Sequence, residues 1–317
     1  MRGLAFLLAA LAFAGPQGPA KSWRDVISRQ AAEHTWDGLD RAFASEAVRA
    51  LGALASTREH LAFVKRRGID LLVVSVGDKL PEGAMGSYVD ADRAMYINEA
   101  DLMSGAKELR ASGTPEPEVP RVLAWKFLPT IVHEIRHGIT RQRARERAGL
   151  NVRMNPLESE FISFLDEIRV LREALRARPE LWADRSRVLE IEKGSAILLR
   201  AVDKDVGALK ALVRGVDDYA SKPVILEAKR ETLVDEYRRR RRTLVDAADQ
   251  LLQADTGRIK DPDVRADLAE YALSVADALN FYNDVLGVLE KPAAHAKLRD
   301  FYAAELRAME RAVAKPR

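Results

Sequence analysis

Between residues 22 and 68, Trp23, Val26 and Ile27, then Leu51, Leu54, Leu61, Phe63 and Val64, recur at steps of three and four. That period predicts helix, and Gly68 supplies the stop. Residues 69–76 (IDLLVVSV) are apolar and β-branched over a short run, the pattern of a buried strand. Gly77-Asp78 and Pro81-Glu82-Gly83 carry turn chemistry. Residues 86–98 (GSYVDADRAMYIN) predict two short strands, 87–89 and 94–97, around an Asp90-Ala91-Asp92-Arg93 turn. Residues 104–120, with Pro115, Pro117 and Pro120, read as a linker, and everything after Arg121 reads as helix punctuated by glycine and proline. The pattern therefore predicts an α+β fold dominated by helix, in which a small strand-containing unit precedes a mostly helical remainder.

Composition narrows the function classes. Apolar residues make up 47% of the 317 positions and charged residues 31%, which excludes wholesale disorder and a polytopic membrane protein. The 51 basic and 48 acidic side chains nearly cancel, to a net +3, so no global charge draws the chain to nucleic acid. There is no cysteine, which excludes disulfides, zinc–thiolate sites, thiol catalysis and lipid attachment at cysteine. At the start, Met1-Arg2 precedes an apolar run over 3–14 and a small-residue stretch ending at Ala20. This is the layout of a secretory signal peptide over 1–20, too short to span a bilayer comfortably, so the expectation is an exported, periplasmic or secreted chain with no stable membrane insertion once the signal is removed.

The chemistry is concentrated at residues 131–139 (IVHEIRHGI), where His133-Glu134-Ile135-Arg136-His137 forms an H-E-x-x-H sequence. Residues four apart share one face of a helix, so both imidazoles can reach one metal ion while Glu134 reaches a water beside it. With five histidines in the whole chain, this spacing around a glutamate is a specific signal. Leu128, Ile131, Val132, Ile135 and Ile139 make the same helix apolar enough to be buried, with Pro129 one turn ahead of His133.

The H-E-x-x-H sequence resembles that of the zincin metallopeptidases. The third histidine of the metzincin pattern is missing, since Arg143 stands in its place, and the closer resemblance is to the gluzincin, or thermolysin-like, group. In that group the third ligand is a glutamate on a following helix. Residues 155–171 (NPLESEFISFLDEIRVL) offer Glu158 and Glu160, 21 and 23 positions after His137. The two lie about 200° apart on a helix and cannot both face one metal. Glu158 lies at the edge of the apolar stripe formed with Phe161, Ile162 and Leu165, whereas Glu160 shares its side with Ser163 and Glu167. The resemblance implies Glu158 as the ligand, with Glu160 in reserve, and Asp166 is a candidate to orient a ligand. The family's aspartate four positions beyond the ligand has no counterpart, because Ile162 follows Glu158 and Phe164 follows Glu160.

The resemblance further implies a small sheet ahead of the active-site helix, in the place held by residues 69–98, whose edge strand can pair with an extended peptide. It implies domains at 21–178 (zincin-like) and 179–317 (helical). It implies a Zn2+ cofactor held by His133, His137 and Glu158, Glu134 as general base, and a peptide or protein substrate. A donor for the developing oxyanion is to be sought among Tyr219, Tyr237, Tyr271, Tyr282 and His295. The five arginines from Arg238 to Arg242 read as a solvated helix face paired with Glu227, Glu231, Asp235, Glu236 and Asp246. The alternative from another class is a helical, non-enzymatic binding or scaffold protein with a structural or vestigial metal site.

Overall fold

The computed structural model describes residues 39–74, 80, 84–90, 92–150, 154–182, 190–216, 219, 222–253 and 261–314. The signal-peptide segment at 1–20 and the last positions of the predicted strand, 75 and 76, lie outside the described residues. In chain order the elements are α1 (Leu39–Ala53), α2 (Arg58–Arg67), β1 (Asp70–Val74), β2 (Gly86–Val89), β3 (Ala94–Asn98), α3 (Glu99–Ala111), α4 (Val119–Ala148) and α5 (Leu157–Ala177). Then follow α6 (Glu190–Lys204), α7 (Val206–Arg214), α8 (Arg230–Gln253), α9 (Pro262–Leu289) and α10 (Pro292–Ala314). Single 3-10 turns occupy Glu116–Glu118 and Pro179–Leu181. The helix-dominated α+β expectation holds.

Gly68 stops α2 as expected, in the left-handed region at φ 60°, where its N–H returns to the carbonyls of Val64 and Lys65. The sheet has the order β1-β3-β2, with β1 parallel and β2 antiparallel to the central β3, whose five residues are all buried. The expected linker at 104–120 is instead mostly helix. The Asn98 side chain accepts the N–H of Ala100 and opens α3, while Leu102, Ala106 and Leu109 bury one stripe of it. Of the prolines that suggested a linker, Pro115 caps the 3-10 turn, Pro117 lies in it and Pro120 lies in the first turn of α4, where a missing N–H costs nothing.

The chain divides into two compact units. The described residues of one lie within 39–142, 157–222 and 304–314, and those of the other within 143–156 and 223–303. In the first unit α4 is central: Leu123, Phe127, Leu128, Ile131 and Ile135 are buried along it, and Phe127 meets Phe43 edge-on at 5.5 Å. Fully burying each such side chain contributes about 1.5–3 kcal/mol. Pro129 lies inside this continuous helix. A side chain at Gly138 would stand 2.7 Å from the Tyr88 ring and 2.8 Å from that of Phe63, so the glycine is what lets β2 pack closely on α4. In the second unit α8 and α9 share a core of Ala248, Val275 and Leu279. There the arginine run is engaged locally: Arg238 pairs with Glu290, Arg240 with Glu236, and Arg241 donates to Asn283. Among the described residues no helix is long and apolar enough to cross a membrane.

Candidate metal centre

His133 and His137 leave α4 on one face, one turn apart, and α5 brings Glu160 to them. The Nε2 atoms of the two histidines lie 3.2 Å apart, and Glu160 Oε2 stands 3.3 Å from the first and 3.5 Å from the second. Tetrahedral ligands at about 2.0–2.1 Å from a zinc ion are separated by roughly 3.3–3.4 Å, so the three donors already have the spacing of such a site. All three residues are buried, and they form a group that could hold a metal ion. Two imidazoles and a carboxylate suit zinc and also other first-row metals.

Glu158 is as buried as Glu160 but is not one of the three converging residues. The two face about 200° apart on α5, and the structure turns Glu160 toward the histidines. The stripe Glu160, Ser163 and Glu167 is polar yet buried, because it faces the imidazoles rather than solvent. His133 Nδ1 lies 3.2 Å from Glu167 Oε2, and Ser195 on α6 donates to the other Glu167 oxygen at 3.1 Å. A carboxylate only accepts, so Nδ1 carries the proton and Nε2 is turned to the cluster. His137 Nδ1 is met by Ser159 Oγ at 3.0 Å and Ser163 Oγ at 3.3 Å. Phe164 packs edge-on against His133, with ring centroids 4.4 Å apart.

Without a metal, His133 is held as a cation. Burial disfavours its charge, but hydrogen bonds to Glu160 and Glu167 and the charges of Glu134 and Glu160 outweigh burial and raise its pKa to about 10. Burial likewise disfavours charge on Glu160, but the charges and hydrogen bonds of His137 and His133 prevail and keep the carboxyl well below the usual range. The cluster thus favours an ionised carboxylate beside a protonated imidazole.

Glu134 is half-buried on the flank of the histidines, and its Oε2 accepts the backbone N–H of Tyr88 at 3.1 Å. That donor is free for a geometrical reason. Asn98 N–H bonds to the Met85 carbonyl, so the alternation of an antiparallel ladder directs the backbone groups of Ser87 and Val89 to β3 and those of Gly86 and Tyr88 to the outer edge of β2.

Asp166 does not orient a ligand. It is fully buried beside His60 (2.9 Å to Nε2), Arg169 and, at 3.5 Å, Arg136, and Arg136 in turn reaches Glu305 and Glu59. The carboxylate that positions His133 is Glu167, one residue further along α5. Of the candidate oxyanion donors, Tyr219 belongs to the unit that holds the site and packs on Phe164 at 5.9 Å. Tyr237, Tyr271, Tyr282 and His295 belong to the other unit. The sequence pattern also passed over Lys222, whose Nζ lies 2.6 Å from Glu160 Oε1.

Comparison with family models, with curated proteins and with solved structures gives no match to this chain.

Proposed function

We propose that this chain is an exported zinc-dependent hydrolase of peptide bonds, of the gluzincin type. The observation that carries the proposal is the convergence of His133 Nε2, His137 Nε2 and Glu160 Oε2 beside a carboxylate, Glu134, that is not among the three and is held by a backbone donor. A zinc ion at these residues supplies Lewis acidity and lowers the pKa of a water in its coordination sphere to near 7. Glu134 accepts the proton of the attacking water, the water oxygen bonds to the scissile carbonyl carbon, and Glu134 then delivers that proton to the amine nitrogen as the C–N bond breaks. Tyr88 N–H holds Glu134 in place through Oε2. The outer edge of β2, where Gly86 turns its backbone groups and Tyr88 its carbonyl, supports an extended peptide as substrate. The signal-like segment at 1–20 supports export.

The test is Glu134→Gln. A structural metal site has no use for a general base, so under the scaffold alternative the variant is silent. Under the proposal it retains the metal and the fold while hydrolysis of a denatured protein substrate falls by about 10²–10⁴-fold. Wild-type hydrolysis that persists in Glu134→Gln refutes the assigned role.

A further inference from the structure

We infer that Lys222 is the electrophilic group of the site, the donor that meets the oxygen on which negative charge develops; this deepens the hydrolase reading and rests on it. Glu160 turns one oxygen inward, to the Nε2 atoms of His133 and His137, and the other outward, to Lys222 Nζ at 2.6 Å. Each side chain of the inner cluster is less than one-tenth exposed, whereas that of Lys222 is 24% exposed, so the lysine is the member of the group that reaches solvent. The same Nζ stands 5.1 Å from the ring centre of Tyr219, whose ring packs on Phe164, and Phe164 packs on His133. This aromatic series links the ammonium to the ring of His133.

Glu160 Oε1 uses one of the three protons of an ammonium, and the remaining donors serve an incoming oxygen. In a buried site a fixed cation beside the reacting carbonyl stabilises an oxyanion strongly, since little water competes for it. Lysine, unlike a tyrosine, brings full positive charge, which offsets the carboxylates of Glu134, Glu160 and Glu167 around the same point. The role follows from place and charge together: among the tyrosines and histidine named for it from sequence, none brings a permanent cation to Glu160.

The test uses the full chain loaded with Co2+, whose visible spectrum reports its ligands, titrated with acetohydroxamate as an anionic oxygen probe. Lys222→Met is expected to retain one cobalt per chain but to weaken acetohydroxamate by about tenfold to a hundredfold, the loss of one charge-assisted hydrogen bond. Lys222→Arg is expected to recover most of the affinity, and Lys204→Met, at an exposed lysine of α6, to match wild type. Unchanged probe affinity in Lys222→Met overturns the inference. So does loss of cobalt in that variant, which makes Lys222 a residue that positions Glu160 and nothing more. A wild-type chain that takes up no cobalt overturns the metal reading underneath, and that result is read before any variant is made.

Discussion

Exchange of the third ligand gives the sharpest quantitative test, because two buried glutamates on one helix make opposite predictions. In Glu160→Gln the side chain keeps its shape but loses the anionic oxygen that stands 3.3 and 3.5 Å from the two imidazoles. Binding free energies for four-ligand structural zinc sites run about 10–16 kcal/mol, or roughly 2.5–4 kcal/mol for each ligand. At 1.4 kcal/mol per factor of ten, the expected loss of zinc affinity is about 60-fold to 700-fold. Glu158→Gln changes a residue just as buried but outside the converging set, and zinc affinity is expected to stay within about threefold of wild type. Competition against a chromophoric chelator measures both, with circular dichroism run in parallel, since loss of a buried partner for His133 and Lys222 also lowers the stability of the metal-free chain. Retained affinity in Glu160→Gln together with loss in Glu158→Gln would refute the geometry of the site.

Two further predictions follow from the residues around it. Glu167→Ala removes the acceptor that holds His133 Nδ1, and zinc affinity is expected to fall by about 10–100-fold with the ligand set intact; the same chelator competition detects it, and an unchanged affinity would show that Glu167 does not orient the ring. Asp166→Asn leaves Arg136 and His60 without their shared carboxylate, and urea unfolding at pH 7 is expected to show about 3–5 kcal/mol of destabilisation. Its pH dependence has a definite sign. Burial disfavours charge on Asp166, but His60, then Arg136 and Arg169, outweigh it and hold the folded-state pKa well below the unfolded value of about 3.9. The ionised group therefore stabilises the fold fully above about pH 4, and the contribution is lost as pH falls below that toward the depressed value. The gap between wild type and Asp166→Asn should accordingly narrow from pH 7 to pH 3; a constant gap would show that the substitution acts by packing rather than charge.

The strands, the stop at Gly68 and the two histidines were legible because each is a local property of the chain. Period two around a turn gives β2 and β3, a left-handed glycine ends α2, and a spacing of four puts two imidazoles on one face whatever surrounds them. The 104–120 segment was misjudged because proline and glycine were weighed above the Leu102, Ala106, Leu109 stripe and the Asn98 cap, which together suffice for a helix.

That Glu160, held in reserve, converges with the histidines where Glu158 does not has a reason that applies to any buried polar site. An amphipathic reading of α5 equates the apolar stripe with the inside and assigns Glu160, Ser163 and Glu167 to solvent. Burying that polar stripe is costly unless each group is paired, and here each is: Glu160 with the two Nε2 atoms and Lys222, Ser163 with His137 Nδ1, Glu167 with His133 Nδ1 and Ser195. The H-E-x-x-H sequence, once found, supplies four imidazole nitrogens in need of partners, and three polar residues at a spacing of three and four on the next helix are what such a face requires. The polar stripe is therefore the signal, and Glu160, its first member, is the residue it turns toward the histidines. Lys222 had no such signal: it lies 62 residues beyond Glu160 in sequence and reaches the site only through the tertiary fold. Local pattern therefore specifies the motif and, with the right question, the helix face opposite it, while the group that would meet the substrate's oxygen is specified only by how the chain folds back on itself.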